Sequence, residues 1–324
     1  MSAMLKLSVA ICTYNGERFL REQLDSIARQ TRLPDELILC DDGSSDRTLQ
    51  IIDNFASSAP FEVKSSRNVS NIGSTKNFER AIGLCDGDII ALSDQDDVWH
   101  RDKLEVIERA FLDAPLTGAV FTNGAVVGDD LSPLGYTLWD TFRFKKKQQS
   151  CFKKGRALEV LLNHDVVTGA TMAFRSALRD IVVPIPVEWV HDAWIALLTS
   201  IYSKIDFIDK NLIDYRQHSN QQIGSVKKNF TDHKNVAQSI TDYYAQISKY
   251  EMLLDHIRCL NQVPNDYAIG KLHDKIEHME VRNSICTSPK IIKTVEATCE
   301  LLNRRYHNYS NGYFSFCKDI FWGD

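Results

Sequence analysis

The sequence predicts an α/β fold: a mostly parallel sheet flanked by helices, followed by a helical C-terminal appendage. Three observations support this class. Short β-branched runs alternate with helical stretches from residue 7 to about residue 121, as is typical of βαβ units. Polar motifs follow three of the predicted strands. After Gly224 the pattern changes to a helical stripe of apolar residues.

The alternating region contains five predicted strands, each a short run rich in β-branched and other apolar residues. They cover residues 7–12, 36–40, 61–64, 89–92 and 119–121. The helical stretches that separate or follow them cover residues 17–29, 47–55, 74–84 and 103–112. In such sheets ligands bind beyond the carboxyl ends of the strands, where the strand order reverses.

Apolar residues at alternating spacings of four and three predict a helix in the C-terminal part, residues 225–324. They are Val236, Ile240, Tyr243, Ile247, Tyr250, Leu254 and Ile257. Pro264 interrupts the pattern. We favour packing on the domain of residues 1–224 over coiled-coil pairing, because about three heptads are the lower limit for inferring a coiled coil.

Composition fits a globular protein, with 324 residues, 44% of them hydrophobic and 25% charged. A net charge of -5 gives no general attraction to nucleic acid, so none is expected as a partner. One basic run is either a solvated loop or a contact for anionic lipid headgroups or acceptor phosphates. It contains Lys145, Lys146, Lys147, Lys153, Lys154 and Arg156.

The N-terminal residues run directly into a strand-like segment, so we expect no secretory signal, and no window is apolar for long enough to span a bilayer. The eight cysteines lack C-x-x-C spacing, and several lie inside apolar strands. We therefore expect reduced core cysteines in a cytoplasmic protein.

Three carboxylates, Asp94, Asp96 and Asp97, directly follow the apolar strand that ends at residue 92. Like charges this close would raise each other's pKa unless a cation neutralised them. Mg²⁺ or Mn²⁺, which prefer oxygen ligands and complete their shell with substrate phosphates, are the natural partners. The alternative is a solvated acidic loop that caps the next helix.

Several polar motifs occur in order along the chain. They are Thr13-Tyr14-Asn15, Asp41-Asp42-Gly43-Ser44-Ser45-Asp46, Asn71-Ile72-Gly73, Asp94-Gln95-Asp96-Asp97, Thr168-Gly169, His191-Asp192-Ala193-Trp194 and Tyr215-Arg216-Gln217-His218-Ser219-Asn220. This set resembles the family-two glycosyltransferases of the GT-A fold, with a Rossmann-like sheet. It is similar to rhamnosyltransferase-like bacterial members that build surface polysaccharides, and it covers about two thirds of the chain.

The resemblance implies that residues 1–122 bind a nucleotide sugar and that residues 123–224 bind an acceptor. The implied activity is inverting, metal-dependent transfer of a sugar from a UDP- or dTDP-sugar to a hydroxyl group of a glycan. The acceptor would be lipid-linked, in O-antigen or capsule synthesis. Mn²⁺ or Mg²⁺ is the implied cofactor.

The resemblance assigns the second Asp of the Asp41-Asp42 pair to the nucleobase, where a carboxylate accepts the ring N3–H. Alternatively, Asp42 or Ser44 caps the helix that begins near residue 47; we favour binding for Asp42 and capping for Asp46. The expected donor-binding residues are Thr13, Tyr14, Asn15, Asp41, Asp42, Lys76, Asp94 and Gln95. Arg80 lies one helical turn from Lys76, and we favour a solvated position for it.

Asp96, the last residue of the D-x-D, is the expected metal ligand, with Asp94 and His218 completing the site. Asp97 either assists in binding the metal or caps the following turn. Trp99 is expected to pack in the core.

Asp192 is the expected general base, because it resembles the acidic residue before a Trp-bearing helix in this family. The expected acceptor-binding residues are Thr168, Gly169, His191 and Trp194. His191 would tune the pKa of Asp192 or lie exposed.

Two other functions share this architecture. A nucleotidyltransferase would ordinarily carry a Gly-rich basic loop after the first strand, and a non-catalytic glycan-binding module would lose the base or the D-x-D. A NAD-dependent enzyme lacks support, because no G-x-G-x-x-G follows the first strand.

The aromatic tail predicts either a peripheral membrane contact or packing within the protein, including a homodimer contact. Its rings and apolar side chains are Tyr306, Tyr309, Tyr313, Phe314, Phe316, Ile320, Phe321 and Trp322, beside Arg304, Arg305 and Lys318.

Overall fold

The structure, a computed structural model, describes residues 4–218 and 239–321, without the side chains of residues 239–242. The described chain divides into two compact units. The first, the sheet unit, contains residues 4–155 and 166–218, and the second, the helical unit, contains residues 156–165 and 239–321. The expected boundary between residues 224 and 225 lies outside the described residues.

A nine-stranded sheet organises the sheet unit. Its strands are β1 (Leu7–Thr13), β2 (Glu36–Asp41), β3 (Glu62–Arg67), β4 (Ile89–Ser93), β5 (Val98–Trp99), β6 (Thr117–Val127), β7 (Pro133–Thr137), β8 (Met172–Arg175) and β9 (Lys204–Arg216). The order across the sheet is β3-β2-β1-β4-β8-β6-β9-β5, and β7 pairs with β6. All five predicted strands are present, and none of their ends lies more than six residues from its expected position.

The sheet is parallel on one side and mixed on the other. Strands β3, β2, β1 and β4 are parallel neighbours, as the alternation of strands and helices predicts. Strand β8 enters between β4 and β6 in the opposite direction, so both of its pairings are antiparallel. Strand β6 then pairs in parallel with β9. The α/β class is confirmed, with more antiparallel pairing than the sequence predicts.

The helices within the described residues fall into both units. They are α1 (Leu20–Ala28), α2 (Thr48–Ala56), α3 (Ser74–Leu84), α4 (Lys103–Asp113), α5 (Leu138–Thr141), α6 (Lys146–Lys153), α7 (Ala157–Leu161), α8 (Arg179–Val182), α9 (His191–Tyr202), α10 (Ser239–Cys259), α11 (Asp266–Thr287), α12 (Lys290–Leu302), α13 (Arg305–Tyr309) and α14 (Tyr313–Phe321). Helix α7 and helices α10 to α14 belong to the helical unit. No helix in the described ranges has the length and apolar character needed to cross a membrane.

The core of the sheet unit lies on both faces of the parallel strands. Val9, Leu37 and Ala91 are completely buried in one cluster, which explains why β1, β2 and β4 read as nearly continuous apolar runs. Helix α1 covers this cluster with Leu20, Leu24 and Ile27, spaced by four and three residues. Trp99 is 3% exposed in the same cluster, as predicted.

The apolar stripe of the C-terminal part forms helix α10, which packs against α11. Tyr243, Ile247, Leu254 and Ile257 are buried, and Tyr250 is partly buried. Of the other predicted members, Val236 lies outside the described residues, and the side chain of Ile240 is among those not described.

A buried polar network joins α11, α12 and α14 in the helical unit. Arg282 makes two hydrogen bonds to Asp319, of 2.6 and 2.8 Å, and the Tyr306 hydroxyl donates to the same carboxylate at 2.6 Å. The ring of His278 lies 2.5 Å from Glu300. Two rings of the predicted interfacial tail, Tyr306 and Tyr309, are therefore interior groups. Other members, including Tyr313 and Phe321, are exposed, and Trp322 lies outside the described residues.

The cysteines and the basic run differ in part from expectation. All eight cysteines are free; Cys40 and Cys85 are buried as predicted, whereas Cys259 and Cys299 are exposed. Part of the basic run forms helix α6 rather than a loop. The amine of Lys153 lies 2.7 Å from Asp206, so this lysine has a partner on β9.

Candidate active site

The carboxyl ends of β1, β2 and β4 lie side by side. Thr13 is in register with Asp41, and Ile11 is in register with Ser93. The polar motifs that follow these three strands therefore meet at one edge of the sheet, as the sequence predicts.

The loop after β1 is bonded to residues 94–97, which follow β4 and which we call the acidic segment. Gln95 accepts a hydrogen bond from the backbone N–H of Tyr14 at 2.9 Å and donates to its carbonyl at 3.1 Å. Asn15, in the left-handed conformation at φ 47°, accepts from the backbone N–H of Ser45 at 2.9 Å. The ring of Tyr14 is 44% exposed. Of these predicted donor-binding residues, Tyr14 presents its ring to solvent, while Gln95 and Asn15 fix the loop.

Asp41 and Thr13 lie inside this loop structure, which corrects their expected direct role in donor binding. Asp41 is 1% exposed and accepts four hydrogen bonds, from the hydroxyls of Thr13 and Ser44 and from the backbone N–H groups of Gly43 and Ser44. Thr13 is equally buried. Both side chains set the backbone path after β2, because their polar atoms are bonded to one another and to the loop.

Asp42 holds the segment after β3. It accepts hydrogen bonds from the Asn68 amide at 2.7 Å and from the backbone N–H groups of Ile72 at 2.8 Å and Gly73 at 2.9 Å. A carboxylate offers about four acceptor positions. The three bonds leave one acceptor position on Asp42, which is 3% exposed, so base binding by Asp42 stays a prediction.

The other residues near this segment are paired within the protein. Asp46 accepts the backbone N–H of Thr48 at the start of α2, as expected for a cap. Lys76 lies 2.8 Å from Glu79 in an ion pair, so contact with a diphosphate would require it to leave that carboxylate. Arg80 donates to Ser66 and Asn68 and is a structural residue.

The three carboxylates after β4 have different surroundings. Burial, then the charges of Asp96 and Asp192, raise the pKa of Asp94 to about 7. Burial and the charges of Asp96 and Asp94 raise the pKa of Asp97 well above its ordinary value. Asp97 is fully buried, and its Oδ1 atom accepts the backbone N–H of Arg216 at 3.0 Å. This bond makes Asp97 a structural link, a role that the sequence left open.

Asp96 meets the end of β9 through two contacts. Its Oδ2 atom lies 2.8 Å from Nε2 of His218, and its backbone carbonyl accepts a hydrogen bond of 2.8 Å from Nε of Arg216. Arg216 is 2% exposed and also donates to Glu22 and to the carbonyl of Asp129. This arginine thus links the acidic segment to β9, and the two expected metal ligands, Asp96 and His218, are in contact; their binding of a metal stays a prediction.

Lys103 is a buried cation beside the carboxylates. It is completely buried on α4, its amine donates to the carbonyl of Ala170 at 2.6 Å and lies 3.8 Å from the centre of the Trp99 ring. Burial lowers the pKa of Lys103 to about 7, against the opposing attraction of Asp97 and Asp94. Its bond to Ala170 connects this region to the Thr168-Gly169 segment.

The side chains of Asp96 and His218 are spaced as two ligands of one divalent ion would be. Adjacent ligands of an octahedral ion with bonds of about 2.1 Å lie about 3 Å apart, close to the 2.8 Å between Asp96 and His218. Within residues 4–218 and 239–321, no three His, Cys, Asp or Glu side chains are arranged to hold a metal. Asp96 and His218 are thus two side chains whose spacing would let them share one ion.

Asp192 lies at the start of α9, and backbone donors orient its carboxylate. The N–H of Gly169 donates to Oδ2 at 2.8 Å, and the N–H of Ala193 donates to Oδ1 at 2.7 Å. Burial raises the pKa of Asp192 to about 6, although these two bonds oppose the shift. The side chain is partly exposed. Asp192 is thus a carboxylate whose proton affinity is close to that needed of a base near neutral pH.

His191 and Trp194 point away from solvent. His191 is 5% exposed and stacks on Phe78 with 3.9 Å between ring centres, and burial lowers its pKa to about 3. Trp194 is completely buried, and its indole N–H donates to the carbonyl of Val182. Acceptor contact by Trp194 is therefore corrected to core packing. His191 is a neutral buried ring, not an exposed one.

Gly169 leaves room for His191. A Cβ atom at position 169 would lie 2.7 Å from Nε2 of His191 and 3.6 Å from Cβ of Asp192. Because His191 is buried and stacked on Phe78, the ring cannot move away without repacking.

We expect Gly169→Ala to lower the free energy of unfolding by about 1–3 kcal/mol, the usual cost of overpacking, and to lower kcat by displacing His191, the neighbour of Asp192 in the chain. Urea unfolding and steady-state rates measure the two effects. Gly83→Ala is the matched control, because a Cβ at that helical position meets nothing within 4 Å. Equal stability of the two variants would contradict the argument.

Sequence reasoning did not assign roles to Arg216 and Lys103. Arg216 belongs to a recognised motif, two residues before His218, so its position was the available signal. Lys103 lies four residues after Trp99 and four before Ile107, on the buried side of α4. A lysine on an apolar helix face is the signal for a buried cation.

Comparison with known proteins gives a family match over much of the sheet unit. The model of a family described as glycosyl transferase family 2 matches residues 8–182. This range includes β1 to β4, the three carboxylates after β4 and the Thr168-Gly169 segment.

Two curated relatives align with parts of the chain. An uncharacterised glycosyltransferase from Nostoc sp. is 28% identical over 225 residues, which are 66% of this chain and 65% of the relative. The dTDP-rhamnosyl transferase RfbG of Shigella flexneri is 39% identical over 99 residues, 29% of this chain and 34% of the relative. The chain thus spans less than two thirds of the length of these relatives.

Two solved structures share the fold. TarS of Staphylococcus aureus in complex with UDP-GlcNAc has a TM-score of 0.58 and 17% identity, covering 97% of this chain and 81% of that chain. A mannosyltransferase from Pyrobaculum calidifontis in complex with GDP-Man and Mn²⁺ has a TM-score of 0.52 and 16% identity, covering 94% and 76%. The predicted GT-A fold with C-terminal helices is confirmed.

Proposed function

This chain belongs to glycosyl transferase family 2, and we propose that it is an inverting, metal-dependent glycosyltransferase. In this proposal it moves a sugar from a UDP- or dTDP-sugar to a hydroxyl group of a glycan acceptor in bacterial polysaccharide synthesis. The dTDP-rhamnosyl transferase relative supports the donor class. The single observation that carries the proposal is Asp192, an oriented carboxylate with a pKa near 6 whose charge acts on the acidic segment.

Asp192 acts as the general base. The acceptor hydroxyl attacks the anomeric carbon of the donor sugar, its proton passes to the carboxylate of Asp192, and the bond to the nucleoside diphosphate breaks. One displacement from the face opposite the leaving group inverts the configuration at that carbon. The N–H groups of Gly169 and Ala193 hold the carboxylate in position during this transfer.

The donor would lie at the edge formed by β1, β2 and β4. The exposed ring of Tyr14 and the remaining acceptor position of Asp42 suit a nucleobase. Asn15 and Gln95 hold the loop that carries Tyr14, and Lys76 would reach the diphosphate on release from Glu79.

Asp96 and His218 would hold Mn²⁺ or Mg²⁺, and Asp94, whose pKa is raised by burial and by the charge of Asp96, is the third predicted member of this site. When bound, the ion would stabilise the negative charge of the leaving diphosphate. The role of Arg216 is to keep the backbone of Asp96 next to His218. Mn²⁺ in the mannosyltransferase of the same fold supports this cofactor class.

The acceptor would bind beside Asp192. Thr168 and Gly169 border Asp192 and would shape the acceptor pocket, with His191 as its buried wall. A lipid-linked acceptor, cytoplasmic location, peripheral membrane contact and a homodimer stay predictions.

Release of free nucleotide from a panel of UDP- and dTDP-sugars, with and without Mn²⁺, tests the proposal. We expect release above background with at least one donor, increased by an acceptor glycan and lost on chelation. Glycan binding without any nucleotide release would instead indicate a non-catalytic module, and pyrophosphate-dependent nucleotide formation would indicate a nucleotidyltransferase.

The raised pKa of Asp192 gives a pH dependence. The carboxylate is protonated below about pH 6 and ionised above it, so we expect kcat/KM to fall about tenfold per pH unit below that value. Steady-state rates with saturating Mn²⁺ and one nucleotide-sugar donor, at a series of pH values, measure this fall in kcat/KM. The residual activity of Asp192→Asn should lose the part of this fall that belongs to Asp192 and keep any part that belongs to Asp94, whose pKa is raised to about 7. A wild-type profile flat from about pH 5 to about pH 8 would contradict the assignment.

A further inference from the structure

Helix α12 exposes large apolar side chains in the helical unit. Ile291 is 80% exposed, Val295 58% and Leu302 77%. We call these three residues the α12 stripe. Ile292, at its edge, is 48% exposed. Exposure of this extent on several neighbouring apolar residues marks an interaction surface more often than chance.

The stripe lies on one face of the helix. Its members are separated by four and seven residues, which places them in one row at 3.6 residues per turn. The opposite face is buried through Lys293, Ala297 and Glu300. The amphipathic pattern of α12 is therefore directed outward, with its apolar residues in solvent and two of its charged residues inside.

The exposed charges at the two ends of the stripe are basic. Among residues 288–304, the exposed charged side chains are Lys290 and Arg304, one before and one after the stripe in the chain. Glu300 is buried beside His278 and Arg305, and Glu296 is partly buried. An apolar row between two cations is complementary to an anionic, apolar partner.

We propose that the α12 stripe binds the surface of an anionic lipid bilayer, with α12 lying in the headgroup plane. A second copy of the chain fits less well. A helix of 13 residues is about 20 Å long and about 10 Å wide, so this face offers about 200 Å², whereas a stable dimer buries about 800 Å² per partner. A bilayer needs only shallow insertion of an apolar row with cations beside it.

This inference goes beyond the proposed function and does not depend on it. It differs from the prediction that the aromatic tail is the membrane contact, because Tyr306 and Tyr309 are buried in the helical unit. The stripe lies outside the proposed catalytic residues, so nucleotide release without vesicles should be unaffected by its substitution.

Co-sedimentation of the full chain with sucrose-loaded vesicles tests the proposal. The vesicles are phosphatidylcholine alone or phosphatidylcholine with phosphatidylglycerol, at low and high salt. The test variant is Val295→Ser with Leu302→Ser. The matched control is Val263→Ser with Leu116→Ser, which removes the same two residue types from positions that are 87% and 89% exposed. A third variant, Lys290→Gln with Arg304→Gln, removes the flanking charges.

We expect wild type and the matched control to pellet with phosphatidylglycerol vesicles, and less so at high salt. The test variant should partition at least about tenfold more weakly, since two inserted apolar side chains are lost. The charge variant should weaken binding to anionic vesicles only. Equal pelleting of the test variant and wild type, or no wild-type binding, would overturn the proposal. A wild-type dimer that the test variant converts to monomer in analytical ultracentrifugation would identify a second copy as the occupant instead.

Discussion

Asp192→Asn is expected to lower kcat by about 10²–10⁴-fold while donor affinity stays near that of wild type. The amide keeps the size of the side chain but cannot accept the acceptor proton. It also loses one of two backbone hydrogen bonds, because Gly169 and Ala193 donate to different oxygens of Asp192 and the NH₂ group that replaces one of them cannot accept. The donor edge lies at β1, β2 and β4 and keeps its backbone pairing, while loss of the Asp192 charge removes one of the causes that raise the pKa of Asp94.

Rates with saturating acceptor and calorimetric titration with nucleotide separate the two effects. Asp206→Asn is the matched control, since Asp206 also accepts a neighbouring backbone N–H, from Phe207, but pairs with Lys153 and Lys204 on the sheet away from the proposed chemistry. We expect this control to keep its kcat. A turnover number of Asp192→Asn close to that of wild type would mean that another group is the base.

The side of the sheet that contains β1 to β4 could be predicted because its signals are local. Each strand is a short apolar run followed by a helix, and parallel pairing of successive βαβ units brings the carboxyl ends of the strands together. Thr13, Asp41 and Ser93 lie at one edge for this reason. The positions of the donor loop and the acidic segment follow from the sequence alone.

The other side of the sheet depends on contacts between residues distant in the chain. Strand β8 enters between β4 and β6, about 80 residues after β4 along the chain, and nothing in its four residues specifies that position or direction. The bond from Arg216 to Asp96 joins residues 120 positions apart. Such contacts are set by tertiary packing. The motifs name Asp96 and His218 as residues of one site, but they do not indicate that Arg216 supports that site.

Motifs also do not reveal which way a polar side chain faces. Asp41 and Asp42 are adjacent and chemically identical. Asp41 accepts its hydrogen bonds from the loop that follows β2, whereas Asp42 bonds to the segment after β3 and retains one acceptor position. Trp194 lies two residues after the proposed base and is turned into the core by its bond to Val182. On a helix, residues two apart project to different sides. The same four-residue motif can therefore contain a proposed catalytic residue, Asp192, and a core residue, Trp194.

Asp96→Ala is expected to abolish transfer and to lower metal-dependent affinity for UDP or dTDP by at least about 100-fold. Loss of outer-shell residues already costs about 10–100-fold, and a methyl group cannot replace a ligand. The backbone contact with Arg216 involves the carbonyl of residue 96 and is kept. Asp102→Ala is the control, because Asp102 lies only six residues after Asp96 in the chain but forms an ion pair with Lys210.

Isothermal titration with nucleotide plus Mn²⁺, and again with chelator, measures the loss. If Asp96 and His218 hold the same ion, His218→Asn should lower the metal-dependent affinity as well, and the double variant should lose little more than either single variant. Full additivity would mean that the two side chains bind independently and that their 2.8 Å contact is only a hydrogen bond. Unchanged nucleotide affinity of Asp96→Ala in the presence of Mn²⁺ would remove Asp96 from the metal site.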